Sequence, residues 1–147
     1  MTLSIVSAKP DDEPLIRSMY AEAVEWLATK GTDQWQPAAM RQRSAPRTED
    51  RTLTAAIARG EVYLVLDDGE PVGALTLDDY ADPEFWTETD SPDDALYAHR
   101  MIVRRAAAGK GLGAYMLDWA ANEAARRGKH WLRLDAWRTN EATTLWT

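Results

Sequence analysis

Cysteine is absent from the 147 residues, which excludes disulfides, thiolate-held metals and a cysteine nucleophile. Histidine is scarce as well: His99 and His130 are the only two, so no histidine-rich metal site, and no metal, is expected. No stretch nears the roughly 20 consecutive apolar residues that a membrane helix requires. Met1 to Lys9 also lacks the basic-then-apolar pattern of a signal peptide. A cytoplasmic protein without membrane contact is the simple expectation. Basic residues are outnumbered, 17 Lys and Arg against 24 Asp and Glu, for a net charge of −7. That balance argues against nucleic acid, which selects a basic footprint. It suits a cationic amine, although solubility alone explains it. With 45% hydrophobic residues, the chain is long enough for one domain, 1–147, around a single core.

What is present is a glycine turn with an apolar strand running into it and an amphipathic helix running out. Leu96 to Val103 is the strand, Gly109, Gly111 and Gly113 punctuate the turn, and Gly111 to Arg127 is the helix. Glycine lets a backbone N–H approach a ligand closely and accepts φ > 0. A helix that starts there leaves its first N–H groups unpaired at its positive dipole end. Strand, turn and helix start together make a cradle for phosphate.

The rest of the chain falls into order around this unit. Leu3 to Val6 predicts a strand. Asp11-Asp12-Glu13-Pro14 starts a helix whose apolar positions Leu15, Met19, Ala23, Trp26 and Leu27 keep helical spacing to a stop at Gly31. A long loop from Thr32 to Pro46 carries Trp35, and a second helix is expected from about Thr48 to Arg59, ended by Gly60. Val62 to Leu66 and Val72 to Leu77 form a hairpin across Asp67-Asp68-Gly69. An acidic, aromatic loop (Asp78 to Asp94, with Tyr80, Phe85 and Trp86) leads to the motif strand. After the helix, whose apolar face is Leu112, Tyr115, Met116, Trp119 and Ala120, Gly128 precedes a strand from Trp131 to Ala136. A right-handed strand–helix–strand unit makes that strand parallel to the one before. Periodicity places Trp119 and Trp131 in the core. The expected fold class is α/β in the mixed α+β sense: an antiparallel meander followed by one parallel β-α-β crossover.

Locally, Gly109-Lys110-Gly111-Leu112-Gly113-Ala114 fits the loose dinucleotide pattern G-x-G-x-x-A, and Asp135 ends the next strand where a ribose-binding acid would sit. The architecture opposes this reading, because only twelve residues follow Asp135 and the strands before the motif are joined as an antiparallel hairpin. A nucleotide P-loop lacks its Gly-Lys-Ser/Thr.

The stretch Tyr97-Ala98-His99-Arg100-Met101-Ile102-Val103, followed eight residues later by Gly111-Leu112-Gly113, resembles the signature of the GNAT superfamily of acetyl-CoA-dependent N-acetyltransferases. The order of elements resembles that family's fold over nearly the whole chain, and Asn140 falls where the family often has an asparagine. The resemblance implies acetyl-CoA as co-substrate and direct attack of an amine on the thioester. It implies that the N–H groups of Gly109, Lys110, Gly111, Leu112, Gly113 and Ala114 bind the coenzyme diphosphate. Met101, Ile102 and Val103 would offer backbone groups to the pantetheine arm. Asn140 would bond that arm or the amine, or else cap the last helix. A base or a water relay must take a proton from the amine, and the chain offers His99 or, near the same sheet edge, Asp78, Asp79 or Asp94; His99 has the most suitable ordinary pKa, although a histidine on a strand is otherwise a packed, hydrogen-bonded residue.

Two positions depart from the family pattern. Ala108 replaces the usual Arg or Gln, which shifts phosphate binding to the backbone and to Lys110, Arg104 or Arg105. The family's tyrosine after the asparagine is missing, with Thr147 at its spacing, so Tyr97 is the stand-in for an acid. The family's further strands imply more chain after Thr147. The acceptor would be a small-molecule amine or a peptide amino terminus. Trp26, Trp35 and Trp86 would form an aromatic acceptor pocket or fill the core. A homodimer stays open. The rival reading is a non-catalytic acyl-CoA-binding regulatory module on the same fold.

Overall fold

A computed structural model of the protein describes residues 2–29, 52–81 and 86–134. Gly31, Trp35, Phe85, Asp135, Ala136, Asn140 and the segment from Thr139 to Thr147 lie outside the described residues. The strands are β1 (Leu3–Ser7), β2 (Val62–Asp67), β3 (Glu70–Asp78), β4 (Ala95–Val103) and β5 (Trp131–Leu134). The helices are α1 (Glu13–Thr29), α2 (Leu53–Ala58) and α3 (Leu112–Arg126). They follow the order β1-α1-α2-β2-β3-β4-α3-β5. The sheet order is β1-β2-β3-β4-β5, antiparallel as far as β4, with β5 parallel to β4. The expected meander and single crossover are both present.

Local chemistry explains the joints. At the β2–β3 hairpin Asp68 and Gly69 both take positive φ, 51° and 84°, the backbone of a two-residue turn whose twist matches its strands. The described helix α2 lies inside the expected stretch from about Thr48 to Arg59, and Thr48 to Arg51 lie outside the described residues. Thr52 is extended, and its hydroxyl accepts the Ala55 N–H at 3.2 Å, a side-chain cap that sets the start of α2.

The two faces of the sheet bury different sets. Ile16 and Met19 of α1 and Leu53, Ala56 and Ile57 of α2 pack on Val62, Leu64, Ala74 and Ile102. On the other face Met116, Ala120 and Ala124 of α3 cover Val65, Leu75, Leu77, Leu96 and Ala98. Trp119 packs its ring against Tyr63, with centroids 4.7 Å apart. Trp131 is a correction: it is 56% exposed. Strand alternation turns Leu132 and Leu134 toward α3, which leaves Trp131 on the opposite face with Arg133.

At Gly73 the backbone of β3 runs close against β4. A Cβ there would stand 2.7 Å from the Ile102 carbonyl oxygen, a backbone atom that cannot swing aside. Gly73→Ala is therefore expected to destabilise the protein by about 1–3 kcal/mol, read as a lower urea midpoint. An unchanged midpoint would mean that the two strands part freely here.

The acid side of stability has a definite sign. The carboxyls of Glu13 (beside Arg17 and Thr54), Asp94 (beside His130) and Glu123 (beside Arg126) are held below their ordinary values of 4.5, 3.8 and 4.5. A depressed folded-state pKa gives stability that is complete above the ordinary value and is lost as pH falls through the lowered one. Denaturant midpoints should therefore fall on acidification below the ordinary carboxylate range. Asp94→Asn should flatten that fall, and an identical slope would remove Asp94 from the account.

Candidate active site

The glycine turn begins where β4 ends. After Val103, the Arg104 N–H donates to the Val72 carbonyl at 2.8 Å, and a 3-10 turn spans Arg105–Ala107. Gly109 and Gly111 then take φ of 81° and 75°, which only glycine adopts without strain. Gly111 is the N-cap of α3 and offers no side-chain cap, while Gly113 is buried in the first turn of the helix. The first intrahelical bond runs from the Tyr115 N–H to the Gly111 carbonyl. Among the described residues, none of the six N–H groups from Gly109 to Ala114 has an acceptor. Six donors at the positive end of α3 suit one anionic group of several oxygens. Ala108 and Lys110 are both exposed. The Arg104 Nε–H is buried with no hydrogen-bond partner, so a further donor with a fixed charge stands at the start of the turn.

Upstream on β4 the ladder breaks. Ala74 pairs with Ile102 but Thr76 pairs with His99, so β4 carries one extra residue, and Arg100 adopts φ of 50° there. The described pairing of β5 stops at Ala98↔Leu134, ahead of this bulge. Met101, Ile102 and Val103 thus belong to the half of β4 that lies between the bulge and the turn, paired on the β3 side through Ala74 and Gly73.

Thr76 and Asp78 of β3 lie in register with His99 and Tyr97 of β4, on the face toward α1. His99 Nε2 is 2.8 Å from Asp78 Oδ1, which also accepts the Tyr80 N–H at 2.9 Å. The Asp78 side chain is 1% exposed and that of His99 is 18% exposed. An ionised carboxylate at this distance favours the tautomer that carries its proton on Nε2. Of the three acids considered for this neighbourhood, Asp78 is the one that meets His99. Asp79 is exposed, and Asp94 pairs with His130 at 2.7 Å.

Tyr97 stacks on His99 with centroids 6.4 Å apart, but its hydroxyl is engaged elsewhere. It donates to the Pro92 carbonyl at 2.9 Å and accepts from Arg133 Nη1 at 3.0 Å, and the residue is fully buried. Arg133 also bonds the Asp90 carbonyl and lies 4.7 Å over the Trp86 ring. This cluster pins the loop before β4 to β5. Trp26 carries the Arg105 guanidinium at 4.7 Å, so a face of each of these two tryptophans is taken by the chain's own arginines.

Three residues near His99 were not anticipated from sequence: Tyr20 of α1, Thr76 and Arg100. Tyr20 lies against Thr76 and Arg100, and burial pushes its hydroxyl pKa up. Thr76 was findable, because strand alternation from Asp78 puts it on the same face. The Arg100 bulge had no signal.

Residues 20–144 match the sequence model of the family described as Acetyltransferase (GNAT) family, and the chain belongs to that family. It is an acetyl-CoA-dependent N-acetyltransferase. A curated relative, the uncharacterised N-acetyltransferase YesJ of Bacillus subtilis (strain 168), is 29% identical over 136 residues, covering 90% of this chain and 71% of the relative. A GNAT-family acetyltransferase from Listeria monocytogenes superposes with a TM-score of 0.75 at 25% identity, covering 97% of this chain and 81% of that one. The PaiA N-acetyltransferase of Thermoplasma acidophilum, solved with coenzyme A, superposes with a TM-score of 0.68 at 16% identity, covering 99% and 86%. No described helix is long and apolar enough to cross a membrane.

Proposed function

We propose that the protein acetylates a primary amine, in a small molecule or at a peptide amino terminus, with His99 as the general base and the N–H groups of Gly109 to Ala114 as the diphosphate cradle. The observation that carries this is the placement of both parts on one strand and its turn. The His99–Asp78 pair flanks the bulge of β4, and six acceptor-free N–H groups follow the end of the same strand. Arg104 supplies the fixed charge that Ala108 cannot. Met101 to Val103 run between these two parts and offer backbone groups to the pantetheine arm, as an added strand would use them. The assignment of Asn140 to the same arm stays a proposal.

An alkyl amine must lose a proton before it attacks. His99 takes that proton while Asp78 steadies the resulting imidazolium. The amine nitrogen bonds to the thioester carbon, a backbone N–H at the bulge stabilises the oxygen that gains charge, and the carbon–sulfur bond breaks to release the coenzyme thiolate, which takes up the second proton shed by the nitrogen as it becomes an amide, while His99 returns the first to solvent. Tyr97 is not assigned to that last proton transfer, since its own proton is already given to Pro92.

Acetyl-CoA should raise the melting temperature and NAD should not, and a panel of primary amines should yield at least one that releases thiol. Stabilisation by NAD alone would sink the reading. Coenzyme binding without turnover on any amine would favour the binding-module alternative, which the family membership does not support.

A further inference from the structure

The start of the glycine turn is tied to α1 by a contact that neither the motif nor the dyad explains. Glu22 Oε1 accepts the Arg105 backbone N–H at 2.8 Å, across 83 positions of sequence. One helical turn further along α1, the Trp26 ring carries the Arg105 guanidinium at 4.7 Å. Residues at i and i+4 share a helix face, so α1 grips Arg105 twice, once through its backbone and once through its side chain. Arg105 is the first residue of the 3-10 turn that delivers the chain to Gly109. That turn has only two internal bonds, Ala107 N–H to Arg104 and Ala108 N–H to Arg105. A three-residue turn between a strand end and two glycines at positive φ does not hold its own direction. Glycine contributes the most conformational freedom of any residue, and something outside must remove it.

A carboxylate beside a diphosphate site is otherwise hard to account for. On charge alone it repels the ligand, so its hydrogen bond must contribute more than its charge costs. We propose that Glu22 is a positioning residue for coenzyme binding. By fixing the Arg105 N–H it sets the direction of the turn, so that the N–H groups of Gly109 to Ala114 converge before the ligand arrives. This rests on the reading that the turn binds the coenzyme diphosphate. Preorganisation of this kind reduces the ordering cost at binding and shows in affinity, with the chemical step untouched.

The hydrogen bond and the charge act with opposite signs, so two substitutions separate them. Glu22→Ala removes both, and the KM for acetyl-CoA and its Kd should rise about tenfold, with kcat at saturating coenzyme and the KM for the amine unchanged. Glu22→Gln keeps a carbonyl acceptor and removes the charge, so affinity should return to the wild-type value or better. A melting curve on each variant guards against general unfolding. From the other side, Arg105→Pro deletes the donor, and Arg104 already has the extended backbone (φ −60°, ψ 142°) that a residue before proline requires. In that background Glu22→Ala should weaken binding no further. Wild-type binding with an unchanged Glu22→Ala affinity overturns this inference alone. So does a Glu22→Gln variant as weak as Glu22→Ala, or a loss confined to kcat. A wild-type protein that binds no acetyl-CoA overturns the underlying reading and this inference with it.

Discussion

Replacing His99 by alanine should lower kcat by about two to four orders of magnitude while the KM for acetyl-CoA stays near its wild-type value. The expected size follows from the chemistry, since without a base the rare neutral amine has to be captured from solvent. The selectivity follows from geometry, because His99 lies ahead of the bulge and the glycine turn proposed to hold the diphosphate lies beyond the end of the strand. Asp78→Asn should give a smaller fall in kcat. An amide still accepts the Tyr80 N–H, but it cannot stabilise the imidazolium as the buried carboxylate does. Tyr97→Phe should keep most of the turnover and lose stability instead, since it removes the bonds to Pro92 and Arg133. A His99→Ala enzyme with wild-type kcat would show that proton transfer runs through another group.

The second large effect is on binding. Gly111→Val should weaken acetyl-CoA by about a hundredfold or more, because a branched side chain would stand where the anion meets the backbone. Nothing in the free protein lies within 4 Å of a Cβ at this position, so the substitution makes no internal clash, but a φ of 75° strains any side chain. Gly60 supplies a matched control, with the same φ of 75°, the same open surroundings and a location after α2, remote from the turn. Gly60→Val should therefore lose comparable stability and keep full coenzyme affinity. Equal affinity for the two variants would place the diphosphate elsewhere.

Much of this architecture was legible because it rests on local rules. The Asp68–Gly69 hairpin, the glycine stops at Gly60 and Gly128, and the α3 face of Leu112, Met116 and Ala120 are each written within a few residues. The glycine turn was legible for the same reason, since glycines at positive φ before a helix expose N–H groups whatever surrounds them. What the sequence concealed depends on contacts between distant segments. The choice of Asp78 over Asp79 and Asp94 follows from the β3–β4 register, and that register is reset by the bulge at Arg100, a residue with no propensity for positive φ. Trp131 misled because its strand alternates, and the two leucines beside it compete for the same core face and hold it. Glu22 could not be found at all from one sequence, since its partner N–H is 83 residues away.

The central claim is that the coenzyme diphosphate is held by backbone donors at the start of α3. Titration of acetyl-CoA into uniformly ¹⁵N-labelled protein, followed by amide spectra, tests it most directly. The amides of Gly109 to Ala114 should show the largest shifts and saturate together, with NAD leaving them unmoved. Saturable binding that leaves these six amides in place, with shifts on another surface, would contradict the account.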